Sequence, residues 1–264
     1  MIAFSFKLWR TSRAVLRIAE ISRHFGGCST MLRKEDVAAM RMDYKMPVGF
    51  DESGLVAREP FMQFDAWFRE ATKAYNVGEA NAMILSTCGS DCRPTSRVVL
   101  LKGYDKTGFT FFTNYNSKKG EQLKENPYAS LLFYWHPLHR QIKIEGRVEK
   151  LPAKESEEYF HSRPRGSQIG AIVSAQSSVI ASREVLETKE NELKEEYADE
   201  QKLIPKPEHW GGFKVIPDKV EFWQGQSSRL HDRILFRKPE ADEVIDENLT
   251  KKGVDGWVYE RLAP

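Results

Sequence analysis

Short runs of β-branched and aromatic residues bounded by tight turns, with no alternation of strands and long helices, most constrain what this chain can form. Ala82–Cys88, a Gly89-Ser90-Asp91 turn, Thr95–Tyr104, an Asp105–Gly108 turn and Phe109–Thr113 predict three antiparallel strands in meander order. Ser117–Glu125 reads as a short helix closed by Asn126-Pro127, after which Tyr128–Trp135 and Gln141–Lys150 form a second hairpin through residues 136–139. Strands return at Trp210–Ile216, Lys219–Trp223, Arg233–Arg237 and Gly256–Arg261, with a variable acidic loop at 238–255. Helical patterns flank them. Phe61, Phe64, Trp67, Phe68, Ala71 and Tyr75 recur at spacings of three and four behind Pro60, and Ala153–Ser162 and Ser182–Tyr197 follow the second hairpin. Without βαβ order, the economical architecture is one antiparallel barrel with helices on its outside.

A length of 264 residues allows one or two domains. No internal repeat or linker divides the strand-rich part. With 41% apolar and 11% aromatic residues the chain can bury a real core without staples. Its mean hydropathy of −0.54, and the lack of an apolar run near the roughly 18 residues of a membrane span, argue for a soluble body and no membrane partner. Cys28, Cys88 and Cys92 are too few and too odd in number for a disulfide framework, and Cys88 and Cys92 have no further His or Cys partners at zinc-site spacing, so a reducing compartment and no structural metal are expected. Residues 1–31 carry a net +4, leaving −2 on the remainder. A near-neutral body argues against nucleic-acid binding. The basic segment has two readings: a mitochondrial presequence, or a dispensable extension of a cytoplasmic protein. The expected division is therefore an extension over residues 1–39 and one domain over 40–264.

Four clusters combine cations, hydroxyls and aromatic rings. Arg97 and Lys102 bracket the apolar run Val98–Leu101, where a cation either snorkels or meets an anion. Phe112-Thr113-Asn114 leads into Ser117-Lys118-Lys119-Gly120, a strand feeding a helix N-terminus, which is a natural anion site or an ordinary charged surface. His161-Ser162-Arg163-Pro164-Arg165-Gly166-Ser167 offers two guanidiniums suited to phosphate at a junction between helices. In strand geometry Arg229, His231 and Arg233 share one face near Trp223, as a site wall or as a charged outer face. The common nucleotide-binding, hydrolase and metalloprotease motifs are absent. The inventory fits two phosphorylated planar ligands.

The stretches RVVLLKGYDKTGFTFFTNYNSKKG, YFHSRPRGSQIGAIVSAQSSVI, WGGFKVIP, EFWQGQSSRLHDR and YERLAP closely resemble the pyridoxine/pyridoxamine-phosphate oxidase family, from about Met40 to Pro264. The resemblance implies a mainly β fold with peripheral helices, an antiparallel split barrel of the FMN-binding type, acting as a homodimer with active sites at the subunit interface. By motif position it implies that Arg97 and Lys119, helped by Lys118, Thr113 and Ser177, hold the FMN phosphate. Val98, Val99, Leu100 and Phe112 would line the cofactor, and Gln141, Gln176, Trp223 and Arg233 would surround its ring system. Lys102, Tyr159, Arg163 and Ser167 match the substrate-phosphate site, Arg229 and His231 the pair over the reacting face, and Arg41 and Tyr44 a lid. The sequence departs from the family pattern in three places: Lys118 stands where some relatives have Arg, Ser228 where Asn is common, and Lys45-Met46-Pro47-Val48 replaces a charged lid continuation.

The implied reaction is FMN-dependent oxidation of pyridoxine 5′-phosphate and pyridoxamine 5′-phosphate by O2 to pyridoxal 5′-phosphate, releasing H2O2 and, from the amine, ammonia. Two other classes compete. A non-catalytic flavin- or pyridoxal-phosphate-binding split barrel would tolerate loss of Arg229 and His231. A general flavin reductase would not need the second anion site.

Overall fold

The computed structural model describes residues 34–40, 43, 44, 46 and 48–264. The chain divides into two units, residues 1–42 and 43–264. The described part of the first contains a five-residue helix, α1 (Lys34–Ala38). Arg41 and residues 1–31 lie outside the described residues.

In the second unit, α2 (Pro60–Lys73) begins where the pattern predicts. The Glu59 carboxylate accepts the backbone N–H groups of Phe61 and Met62, and Pro60 supplies a first-turn residue with no donor to satisfy. Its buried stripe of Phe61, Phe64, Trp67 and Ala71 plugs one face of the sheet. There Phe64 meets Phe109 and Phe133 at ring centroid distances of 4.9 and 5.3 Å, and Trp67 stands edge-on to Phe222 at 5.3 Å. Phe64 is fully buried, so Phe64→Ala is expected to cost about 3–5 kcal/mol, read as a lowered denaturant midpoint.

The ten strands are β1 (Ala82–Thr87), β2 (Thr95–Leu100), β3 (Gly103–Asp105), β4 (Gly108–Asn114), β5 (Tyr128–Trp135), β6 (Arg140–Lys150), β7 (Trp210–Gln224), β8 (Asp232–Arg237), β9 (Thr250–Lys252) and β10 (Val258–Arg261). Every pairing is antiparallel, in the order β2-β1-β5-β6-β7-β8-β10-β9, with β4 joined to β3 and to the first half of β7. The sheet does not close: β2 and β4 form no ladder with each other, and that split opens into the site described below. The expected three-strand meander is thus corrected, because β2 ends at Leu100 and a short β3 turns back on β4 alone.

Two predicted strands on either side of Pro217 are one, the 15-residue β7. Proline cannot donate to a ladder, and the pairing absorbs it as an irregularity in which Gly146 of β6 sits opposite Pro217. A Cβ at Gly146 would meet the Ile216 carbonyl, so this close approach requires glycine.

The helices α3 (Lys118–Glu125), α4 (Ala153–Ser162), α5 (Arg165–Val173) and α6 (Glu184–Glu196) lie outside the barrel. Ser117 caps α3, its side chain accepting from the Gly120 amide. The polar 161–180 stretch contains α5, a helix not expected there; it buries Ile169 and Val173 in a second small core with Phe160, Ile204 and Trp210. No helix among the described residues is long and apolar enough to cross a membrane.

Candidate active site

At the split, β2 and β4 face α4 and α5 across a cavity of about 580 Å³. Its lining contains Arg97, Val98, Val99, Leu100, Lys102, Phe112, Thr113, Lys119, Tyr159, Arg163, Ser167 and Gln176. Residues separated by up to 113 positions in sequence, from Arg97 to Trp210, thus meet in one space, because the barrel leaves β2 and β4 unjoined and the helical insert folds back over the gap.

One end of the cavity is a framed pair of cations. Arg97 donates to the Leu85 carbonyl at 3.1 Å and to Thr87 Oγ1 at 2.7 Å, and also bonds Thr95 Oγ1. Both threonines donate to Gln122 Oε1 of α3, which fixes them. Lys119 Nζ donates to Gln176 Oε1 at 2.8 Å, Thr113 Oγ1 at 3.2 Å and Ser117 Oγ at 3.3 Å. These partners are all neutral. Burial, with a smaller contribution from nearby Arg97, pushes the Lys119 ammonium down to about 8. Burial likewise lowers Arg97 from its usual value. Two desolvated cations without a carboxylate between them favour an anion, which would return the charge balance that burial has removed.

The sign of the pH effect follows. Lys119 is cationic below about pH 8 and neutral above it, so affinity for a phosphate monoester is expected to fall as pH rises past about 8. The fall should approach tenfold per pH unit until the complexed lysine itself titrates. Titrating ligand-free protein across pH 7–10 checks this, and a flat profile would contradict it.

The other end holds a different cation. Arg163 lies with its guanidinium carbon 4.6 Å from the Trp210 ring centroid, and its Nη1 is buried without a hydrogen-bond partner among the described residues. Burial lowers its pKa. Tyr159, stacked on Phe112 at 3.9 Å, and Ser167 line the same cavity. Lys102 joins them from the chain just beyond β2. The sequence neighbour of Arg163 in the predicted cluster, Arg165, is not a site group. It turns away and donates to the carbonyls of Tyr197, Asp199, Glu200 and Lys202, holding the loop after α6.

Lys118 and Ser177 line an adjoining cavity of about 640 Å³ that shares Asn114, Ser174 and Gln176 with the first. Ser177 takes a left-handed φ of 75°.

A second group of predicted residues gathers elsewhere on the barrel and contributes nothing to the lining of the first cavity. Gln141, Trp223 and Arg233 are direct neighbours across β6, β7 and β8, forming one row. Arg233 Nε donates to the buried Glu221 carboxylate at 2.7 Å, which raises its pKa and fixes its fork. At the end of the row the rings of His231 and Tyr44 lie 4.9 and 5.8 Å from Trp223. Tyr44 also meets His231 at 5.6 Å and His139 at 4.7 Å.

Arg229 corrects the strand-face reading. It belongs to a short 3-10 turn, with φ of 59° at Ser228 and 62° at Arg229, while β8 begins only at Asp232. A sequence alternation read through this segment fails because two consecutive left-handed residues reverse the chain. Arg229 is consequently exposed at the tip of the turn, and His231 stands on its return.

Sequence reasoning missed Trp210, which walls the cavity and carries Arg163, and the supporting trio Thr87, Thr95 and Gln122. Trp210 had a signal, an aromatic at a strand start beside two glycines. The trio had none, since its contacts span distant elements.

The family model of pyridoxamine 5′-phosphate oxidase matches residues 68–196, and that of the pyridoxine 5′-phosphate oxidase C-terminal dimerisation region matches residues 210–264. Pyridoxine-5′-phosphate oxidase of Bos taurus is 52% identical over 232 residues, covering 87% of this chain and 88% of its own. Among solved structures, PhzG from Burkholderia lata 383, in complex with tetrahydrophenazine-1-carboxylic acid, superposes with a TM-score of 0.70 at 29% identity, covering 83% of this chain and 98% of that one. A pyridoxamine 5′-phosphate oxidase-related, FMN binding protein from Nostoc punctiforme shares the fold, with a TM-score of 0.56 at 14% identity over 78% of this chain and 98% of its own.

Proposed function

Since the chain belongs to the pyridoxamine 5′-phosphate oxidase family, we propose that it oxidises pyridoxine 5′-phosphate and pyridoxamine 5′-phosphate with O2, on FMN. The products are pyridoxal 5′-phosphate, H2O2 and, from the amine with water, ammonia. The observation that carries this reading is the pair of cation clusters in one cavity, Arg97 with Lys119 and Lys102 with Arg163. A flavin reductase has no use for the second cluster, and a non-catalytic binder has none for Arg229 and His231.

The residues present fit FMN. Lys119, depressed by burial and bonded among the described residues to neutral oxygens, and the desolvated Arg97 suit a phosphate, with Thr113 and Gln176 already in contact with Lys119. Lys118 and Ser177 would approach that phosphate from the adjoining cavity. Phe112 and the Val98–Leu100 backbone would line the cofactor, and Gln141, Trp223 and Arg233 would surround its ring. When bound, FMN supplies the two-electron acceptor and passes the electrons to O2.

The substrate phosphate would sit against Lys102, Tyr159, Arg163 and Ser167, where the unpartnered Arg163 Nη1 gains an acceptor. Arg229 and His231 would orient the exocyclic CH2OH or CH2NH2 group and stabilise charge developing there. Tyr44 would cover the site.

The cation clusters and the Trp223 row lie apart in one chain, so a complete site needs the row of a second copy. The C-terminal dimerisation region supports a homodimer in which residues 40–264 form the oxidase domain and two composite sites are built across the interface. Co-expression of Arg163→Ala with His231→Ala tests this. Random pairing makes half of the dimers mixed, and each of those regains one intact site of its two, so about a quarter of native activity is expected. Activity no higher than that of the two single variants would contradict a shared site.

A further inference from the structure

His231 does not stand alone in its turn. Its Nδ1 accepts the backbone N–H of Gln226 at 3.0 Å. A ring nitrogen that accepts cannot carry the proton, so the neutral ring is the tautomer with its hydrogen on Nε2. The Gln226 amide is itself held, because the Gln226 side chain donates from Nε2 to Asp232 Oδ2 at 2.7 Å. The same oxygen accepts the Phe50 N–H at 2.9 Å, and Asp232 Oδ1 accepts Arg261 Nη1 at 3.0 Å. Asp232 therefore joins three separate pieces of chain: the 226–231 turn, the segment that follows Tyr44, and β10. The turn has little else to fix it, being exposed at residues 227–230 and reversed through two left-handed residues.

We propose that Asp232 and Gln226 are positioning residues that lock His231 as the Nε2–H tautomer and aim that hydrogen at the substrate's reacting group. The inference rests on the oxidase reading for the destination of the hydrogen, while the lock itself is a property of the folded chain. Neither residue touches substrate or cofactor; each acts through His231. With the lock in place the ring presents a donor. Without it, the two tautomers interconvert and the ring presents an acceptor part of the time.

The experiment uses FMN-loaded protein with 15N-labelled histidine, the His231 signals being identified by their loss in His231→Gln. In the native protein Nδ1 should read as an unprotonated acceptor and Nε2 as protonated. Gln226→Leu removes only the side-chain tether, and Asp232→Ala removes the acceptor that both Gln226 and Phe50 use. Both should give a tautomer mixture, which alone halves the competent population, and leave the ring no longer aimed, so that flavin reduction at saturating pyridoxamine 5′-phosphate slows by about tenfold in all, the worth of one hydrogen bond, with KM and FMN affinity unchanged. Asp232→Asn keeps one carbonyl oxygen for those two donors and should restore most of both readouts. If Asp232→Ala does not fold, Gln226→Leu decides alone. His231 signals unchanged in Gln226→Leu, or a reduction rate within twofold of native, would overturn the proposal. A native protein that shows the locked tautomer but never reduces its flavin would instead overturn the oxidase reading.

Discussion

Arg229→Ala and His231→Ala are each expected to slow reduction of the bound flavin by roughly 100- to 1,000-fold, or about 3–4 kcal/mol of transition-state stabilisation, while the protein keeps its FMN. Separation of the two effects follows from placement. Arg97 lines the cavity beside the bonded group of Lys119, Thr113 and Gln176, and Arg229 and His231 are not part of that lining. Removing either side chain leaves the phosphate anchors intact. Rapid-mixing measurement of flavin absorbance under anaerobic conditions gives the rate, and the spectrum of the purified variant gives the cofactor content. Recovery of FMN-free variant whose turnover returns on adding FMN would make these two residues cofactor ligands instead.

The second large effect concerns the substrate's phosphate. Lys102, Tyr159, Arg163 and Ser167 offer two cations and two hydroxyl donors, and the buried Arg163 Nη1 has no partner among the described residues. Unphosphorylated pyridoxine would leave that group desolvated and unpaired. Each charge-assisted hydrogen bond is worth about 1.5–3 kcal/mol, so losing two predicts a drop of about 3–6 kcal/mol, or some hundred- to ten-thousandfold, in kcat/KM. Arg163→Ala should narrow the gap by harming the phosphorylated substrate far more than the free vitamin. Steady-state kinetics on the four combinations of enzyme and substrate measure it. Equal turnover of the two substrates by the native protein would refute the assignment of the second cluster.

Much of this was legible before any coordinates. The α2 stripe as far as Ala71, the β5–β6 hairpin and the Ser117–Glu125 helix follow from local chemistry, and the structure places them within a residue or two of the expectation, whereas Tyr75, expected on the same stripe, lies exposed beyond the helix end at Lys73. Failures occurred where distant contacts overrule local pattern. Gly166 and Gly170 make α5 read as loop, yet Ile169 and Val173 pack on Phe160 and Trp210 and hold it helical. Pro217 reads as a strand break until a partner with Gly146 accommodates it. Within the site, Arg163 and Arg165 look equivalent in sequence, but one faces the cavity and the other ties down a loop. The threonine and glutamine frame around Arg97 joins β1, β2 and α3, and short-range spacing contains no trace of it. Local patterns thus identified the cations, whereas the fold decided which of them share a space.

The central claim is that one cavity accepts a flavin phosphate and a substrate phosphate at separate cation clusters. Anaerobic titration of the FMN-loaded protein, first with pyridoxamine and then with pyridoxamine 5′-phosphate, tests it most directly. The account predicts that the yellow flavin absorbance bleaches at stoichiometric amounts of the phosphorylated amine, that pyridoxamine at the same concentration leaves it largely intact, and that air restores the colour with release of H2O2. A flavin that stays oxidised with pyridoxamine 5′-phosphate, or bleaches equally with both amines, would contradict it.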